Sequence, residues 1–278
     1  MTGDKTVSFG LGVHNPLTAR LAERVGFDVL WLGSLELATS LGLPDINLLS
    51  LTEVAGIVRS VRAVTALPIY VDADNGYGSH ATAVRAATEF EAAGATAICV
   101  EDNRFPKRNS LLADHRSREL EDIDDFAERI RRMAAARRRI QIIARTEAVV
   151  AGQGVAEAVK RLRRYADAGA DALFVQANHR FADQLLPVVA EIAGLRPIVL
   201  APTALPDLTA ADLERFAPVT LLFANVVVRG IVGALPPLLR RLREGGSLAS
   251  VLGELESLEG LFELTDTRAW VETATGGK

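Results

Sequence analysis

Short apolar, β-branched runs alternate along this chain with longer segments in which apolar residues recur every three to four positions. A continuous apolar run reads as a strand buried on both faces, and the longer period reads as a helix covering it, so the chain is organised as repeated βα units. The strands fall at 7–13, 29–32, 69–72, 97–101, 140–144, 172–175, 198–201 and 219–223. The helices fall at 16–25, 51–64, 80–93, 123–136, 155–168, 181–193, 209–216 and 228–244, and several stop at a glycine suited to a left-handed cap, as at Gly94. Eight units favour a closed (α/β)8 TIM-type barrel over a doubly wound sheet.

Two stretches exceed the minimal repeat: 33–50 after the second strand and 102–121 after the fourth. Both are long loops on one rim, where lids and binding loops are found. A further amphipathic segment, 248–264, extends beyond the eighth unit and could pack on the barrel or on a partner subunit. The length of 278 residues and a hydrophobic fraction of 49% fit one barrel domain spanning 1–278, with a helical extension near 247–278.

A net charge of -4 gives no general attraction for nucleic acid or an anionic membrane surface, so an anionic ligand must be held by local groups. The basic run 129–139 reads as a solvated helix end complementing the helix dipole. The single cysteine, Cys99, lies in an apolar run; it allows no intramolecular disulfide or zinc–cysteine site and reads as a small core residue. There is no signal-like start and no apolar run near the ~20 residues that span a bilayer, so a cytoplasmic protein is expected.

The candidate chemistry lies where strands end, because a barrel gathers those ends on one face. The run Val71-Asp72-Ala73-Asp74-Asn75-Gly76-Tyr77-Gly78 places two carboxylates where a strand gives way to a glycine-rich turn. On an extended backbone Asp72 and Asp74 point the same way, and a divalent cation relieves their repulsion. They could equally form the turn and cap the helix near Ser79; taken alone, the turn leaves both readings open.

The other strand ends decide the matter. His14-Asn15, Trp31 with Gly33-Ser34, Glu101-Asp102, Arg145 with Glu147, Gln176 with Asn178, Thr203 and Asn225 converge on the same rim. Acids on two adjacent strands facing an arginine on the next form a site-like arrangement. Three carboxylates, Asp72, Asp74 and Glu101, without histidine or cysteine suit Mg²⁺ or Mn²⁺ rather than zinc. With Arg145 opposite, a cation plus a guanidinium would receive a small acidic substrate. The loop Asp102-Asn103-Arg104-Phe105-Pro106-Lys107-Arg108-Asn109-Ser110-Leu111 mixes cations, amides and a hydroxyl, as a covering lid would.

At this point the chain resembles the phosphoenolpyruvate mutase and isocitrate lyase superfamily, and within it the phosphoenolpyruvate mutase and phosphonopyruvate hydrolase branch. The resemblance rests on Gly12 to Leu17 with Ala19 to Ala22, Gly26-Phe27-Asp28, Trp31, the run Asp72 to Gly78, Glu101-Asp102 with Phe105 to Lys107 and Asn109 to Leu111, and Ala144 to Ala148 with Ala151-Gly152. It implies an (α/β)8 barrel whose last helix is exchanged between subunits, commonly in tetramers. It also implies Mg²⁺ bound directly by Asp72 and through water by Asp74 and Glu101, Arg145 on the phosphoryl or carboxylate end, Asp45 as a further acidic site residue, and Lys107, Asn109 and Ser110 closing over the substrate. The amides of Gly33, Ser34 and Leu35, with Trp31 and Gln176, would complete the substrate site.

Lyases of the superfamily carry Lys-x-Cys-Gly-His in the lid, and this chain has Lys107-Arg108-Asn109-Ser110-Leu111. An asparagine there is similar to the mutase, whereas His14 to Leu17 and Leu35-Glu36-Leu37 are closer to the hydrolase. Gly33-Ser34, Asn103, Gln176-Ala177 and Asn225-Val226 depart from the usual Ser-Gly, lysine, His-Ser and Asn-His. The expected activity is Mg²⁺-dependent interconversion of phosphoenolpyruvate and phosphonopyruvate through a pyruvate enolate. The alternatives are a hydrolase or lyase cleaving a C–P or C–C bond of a related 2-oxo acid, and a non-catalytic metabolite-binding relative.

Overall fold

A computed structural model of the chain describes residues 6–107 and 119–276. Eight parallel strands close into a barrel in sequence order: β1 (Val7–Gly12), β2 (Val29–Leu32), β3 (Ile69–Asp72), β4 (Ala97–Glu101), β5 (Gln141–Thr146), β6 (Ala172–Val175), β7 (Ile198–Leu200) and β8 (Val219–Phe223), with β8 returning to β1. The expected (α/β)8 barrel is therefore present. Its interior layer holds Val29, Trp31, Tyr70, Cys99, Ile143, Phe174, Val199 and Leu222. A larger core, including Leu30, Val71, Ile98, Ile142, Leu173 and Leu221, lies between the strands and the surrounding helices. Cys99 is buried and unpaired, the core role its apolar run implied.

The helices are α1 (Pro16–Val25), α2 (Ser34–Ser40), α3 (Leu51–Arg62), α4 (His80–Ala93), α5 (Ile123–Ala136), α6 (Gly154–Asp167), α7 (Leu185–Ile192), α8 (Ala210–Leu213), α9 (Val226–Gly245), α10 (Leu258–Leu264) and α11 (Thr267–Thr275). The chain divides into two compact units, one ending at Val227 and one starting at Val228. The second unit exposes large apolar side chains, among them Leu235, Leu239, Leu258, Phe262 and Trp270. No helix of the described residues is long and apolar enough to cross a membrane.

Several local expectations are corrected. The stretch 33–50 is not all loop, because α2 forms within it and buries Leu37 and Ala38. The helix expected at 181–193 begins as a 3₁₀ turn, His179–Gln184, and becomes α-helical only at Leu185. That start places Pro187 in the first turn, the one part of a helix where a missing N–H costs nothing. Strand β5 runs through Arg145 and Thr146 instead of stopping at 144. The segment beyond 247 contains two 3₁₀ turns and α10, then a further helix, α11. In the basic run, Arg129 is no solvated residue: it is buried, donating to the Asn75 carbonyl at 2.8 Å and to Glu121. Arg131 and Arg132 do face solvent.

Candidate active site

Strand register decides which polar groups meet. Glu101 at the end of β4 is paired in register with Arg145 on β5, and Arg145 with Phe174 on β6, so the three project from neighbouring positions of one barrel face. Arg145 Nη2 lies 3.1 Å from Glu101 Oε2, Nη1 lies 3.8 Å from Asp72 Oδ2, and Nε donates to Glu147 Oε1 at 2.6 Å. Its guanidinium carbon stands 5.0 Å over the Phe174 ring, which itself meets Trp31 edge-on at 5.7 Å. Glu147 also accepts from Gln176 Nε2 at 3.1 Å. The arginine is thus clamped in one orientation before any ligand arrives.

On the other side, Asp74 does not continue the strand. It lies in the left-handed region at φ 50°, and its amide donates back to Asp72 Oδ1 at 3.1 Å. The two carboxylates therefore do not align as an extended backbone would place them. The turn is closed by Gly76 N donating to Ala73 O, while Ser79 caps α4, so neither aspartate is consumed as a helix cap. Asp74 Oδ2 accepts from Asn47 Nδ2 at 2.8 Å, and Asn47 Oδ1 accepts from the Lys107 amide at 2.6 Å. The Lys107 ammonium reaches Asp45 at 2.9 Å, Asp74 and the Ser34 hydroxyl. Burial alone would lower Lys107, but Asp74, Glu101, Asp72 and Asp45 outweigh it and hold the ammonium above its usual range.

A cavity of about 60 Å³ opens between these groups, room for about four water molecules and hence for a ligand of a few heavy atoms. It is lined by Trp31, Ser34, Leu35, Asp45, Asp72, Lys107, Arg145 and Gln176, as expected, and by Thr203 and Asn225 from the last two strand ends. Gly33 sits just outside as the N-terminal cap of α2; a Cβ there would lie 2.1 Å from Glu36 Oε2 and 2.4 Å from Trp31 Nε1, so a larger residue would need both side chains to move. No side chain caps α2, whose first amides belong to cavity-lining residues. Asn109 and Ser110 lie outside the described residues.

Three rim expectations fail. Asp102 is fully buried away from the cavity, bonded to Thr146, Glu147 N, Tyr165 and Arg161. Along a strand successive side chains alternate, so Glu101 facing in sends Asp102 out. Asn178 caps the 3₁₀ turn after β6, and Asn15 caps α1. Sequence reasoning missed Asn47, Phe174 and Glu36. The only hint for Glu36 was a carboxylate flanked by two leucines. It lines the cavity, and burial, reinforced by the charges of Asp72 and Asp45, pushes it up to about 8 against a bond from its own amide.

Asp72, Asp74 and Glu101 offer only hard oxygen donors. Among the described residues no three acidic or sulfur or imidazole groups surround one point; each carboxylate is turned instead to a cation of the protein. Glu101 Oε2 is nevertheless buried without a hydrogen bond, and burial first, then Glu147 and Asp72, push Glu101 up to about 8 despite Arg145 and Lys107. Three carboxylates face only two cations of the protein, so full ionisation of the donor set calls for further positive charge, which fits a divalent cation.

A sequence model of a family described as phosphoenolpyruvate phosphomutase matches residues 5–241. The chain is 38% identical over 257 residues to a phosphonopyruvate hydrolase of Variovorax sp. (strain Pal2), covering 91% of this chain and 88% of the hydrolase. Its structure is similar to a phosphoenolpyruvate phosphomutase from Streptomyces platensis subsp. rosaceus, with TM-score 0.93, 32% identity, and 98% and 95% of the two chains covered. It is also similar to a phosphonopyruvate hydrolase in complex with oxalate and Mg²⁺, with TM-score 0.88, 35% identity, and coverage of 96% and 93%.

Proposed function

The chain belongs to the phosphoenolpyruvate phosphomutase family, whose members are enzymes of the phosphoenolpyruvate mutase/isocitrate lyase superfamily, and on that footing we propose that it interconverts phosphoenolpyruvate and phosphonopyruvate with Mg²⁺. The observation that carries this reading is the clamped Arg145, fixed by Glu101 and Glu147 and bordering a cavity that Asp72, Lys107 and the start of α2 also line. Mg²⁺ or Mn²⁺ held by Asp72, with Asp74 and Glu101 in support, would supply positive charge to a developing enolate.

The chain's own groups do the rest. Arg145 holds the anionic phosphoryl end bidentately, and the amides at the start of α2, Gly33 to Leu35, donate to the pyruvate oxygens. Lys107, held by Asp45, donates to the same end, and Trp31 and Phe174 wall off water. The phosphoryl group leaves C3 as the C–P bond breaks and is taken by the enolate oxygen as an O–P bond forms, so nothing is added or lost. Such a rearrangement needs positioning and dryness more than proton transfer. Asn109 and Ser110 belong to this reading as lid groups.

The identity to a phosphonopyruvate hydrolase favours a second reading, in which water takes the phosphoryl group and a proton goes to the enolate carbon. A ³¹P NMR time course of phosphonopyruvate with protein and Mg²⁺ separates them: phosphoenolpyruvate is expected, inorganic phosphate would replace the mutase by the hydrolase, and an unchanged spectrum would remove both. The exposed apolar side chains beyond Val228 support the further expectation of a homo-oligomer.

A further inference from the structure

Asp102 touches no ligand-facing surface, yet it bonds to three consecutive residues around the substrate arginine. Its amide donates to the Arg145 carbonyl at 3.2 Å, its Oδ2 accepts from the Thr146 hydroxyl at 2.8 Å, and its Oδ1 accepts from the Glu147 amide at 2.8 Å. Behind it, Tyr165 OH at 2.7 Å and Arg161 Nη1 at 3.2 Å donate to Oδ2. Arg161 in turn donates to the Glu121 carbonyl at 3.0 Å, and the Glu121 amide donates to the Asp102 carbonyl at 2.8 Å. Every hydrogen-bonding atom of Asp102 is used, and it is covalently joined to Glu101. We propose that Asp102 is a positioning residue that sets the placement of Arg145 relative to Glu101, and so the spacing between the anion-binding and carboxylate halves of the site.

The proposal rests on the reading that Arg145 receives the anionic end of the substrate. Its chemical basis is that all four partners of the Asp102 carboxylate are donors. An asparagine has the same shape, but either orientation of its amide aims an NH₂ group at a donor-only partner, Glu147 N–H one way and Arg161 the other, where the Thr146 and Tyr165 hydroxyls would also have to turn round to accept. The β5 end must then shift, and a shift of a few tenths of an ångström at a clamped guanidinium weakens a transition state more than a ground state.

The test is a double-mutant cycle of Asp102→Asn and Arg145→Ala, read by steady-state kinetics and by calorimetry of oxalate binding with Mg²⁺. With Arg145 in place, Asp102→Asn is expected to lower kcat by about 100-fold and oxalate affinity by about 10-fold, with KM nearly unchanged, whereas in the Arg145→Ala background it should change either quantity by less than about 2-fold. Equal losses in both backgrounds would reduce Asp102 to general structural support and overturn the proposal. A wild-type protein that binds no oxalate would instead sink the parent reading. The inference then stands or falls on the Arg145 Nε–H resonance, assigned with Arg145→Lys: displacement or broadening in Asp102→Asn is expected, and an unmoved signal overturns it. Tyr165→Phe, which removes one of four donors, should repeat each effect at about 2- to 5-fold and serves if Asp102→Asn does not fold.

Discussion

Two arginines of the barrel, alike in burial and unlike in company, show what distinguishes a site from a strut. Arg145 on β5 and Arg161 on α6 are equally enclosed, each at 7% exposure. Around Arg161 the account closes: Asp102, Glu157, the Glu121 carbonyl and the Tyr165 hydroxyl take its donors, and neither Asp102 nor Tyr165 is left with an unused buried atom. Around Arg145 three carboxylates, Asp72, Glu101 and Glu147, share one guanidinium, Glu101 Oε2 meets it as an ion pair without a hydrogen bond, and a cavity opens alongside. A protein tolerates surplus buried charge of one sign where something else will bind. The closed cluster stabilises, and the open one waits for a cation and an anion.

The sharpest way to break this contrast is Asp72→Ala. If the open cluster is a metal and substrate site, the variant should stay folded by circular dichroism while turnover falls by at least about 1,000-fold, and calorimetric Mg²⁺ binding should be lost with it. Retained turnover would show the carboxylate surplus to be idle. The complementary change is Arg161→Ala in the closed cluster. Removing one member of a satisfied buried pair leaves Asp102 short of its charged partner, and urea unfolding should show a loss of about 3 kcal/mol. A loss under about 1 kcal/mol would mean that Arg161 is not the strut its hydrogen bonds suggest.

The sequence revealed the open cluster better than the closed one, for a physical reason. Asp72, Glu101 and Arg145 each end an apolar run, and parallel strands must bring such ends together, so the barrel and the core of its rim were legible from the residues alone. Asp45 and Lys107 lie in loops with no such constraint: only resemblance pointed to Asp45, and Lys107 was read from the polar, lid-like loop after Glu101; the structure brings both to the cavity. Asp102 was misplaced because two consecutive acids look equivalent in sequence, although the strand pleat sends them to opposite faces. Asp74 was aimed wrongly because nothing in an Asp-Ala-Asp spacing announces a left-handed backbone. Glu36 and Asn47 were missed because their role depends on how α2 and its following loop fold back over the barrel mouth, and Phe174 because an aromatic inside an apolar strand reads as core. Asn109 and Ser110, on which the mutase reading leans, fall outside the described residues.

Glu36 offers the finest test of the open cluster, because it adds a further acid to a place already rich in them. Its folded pKa of about 8 lies above the ordinary value of 4.5, so the folded protein holds a proton there that the unfolded chain releases. The stability this contributes is complete below pH 4.5 and is lost as pH rises through 8. A glutamine in its place would mimic the protonated acid at every pH. With divalent metal removed by a chelator, Glu36→Gln should match the wild type at about pH 4.5 and exceed it by about 2 kcal/mol at about pH 9, measured by urea unfolding. Parallel stability curves would show that neither burial nor the charges of Asp72 and Asp45 raise Glu36, and Glu36 would then be no part of the open cluster.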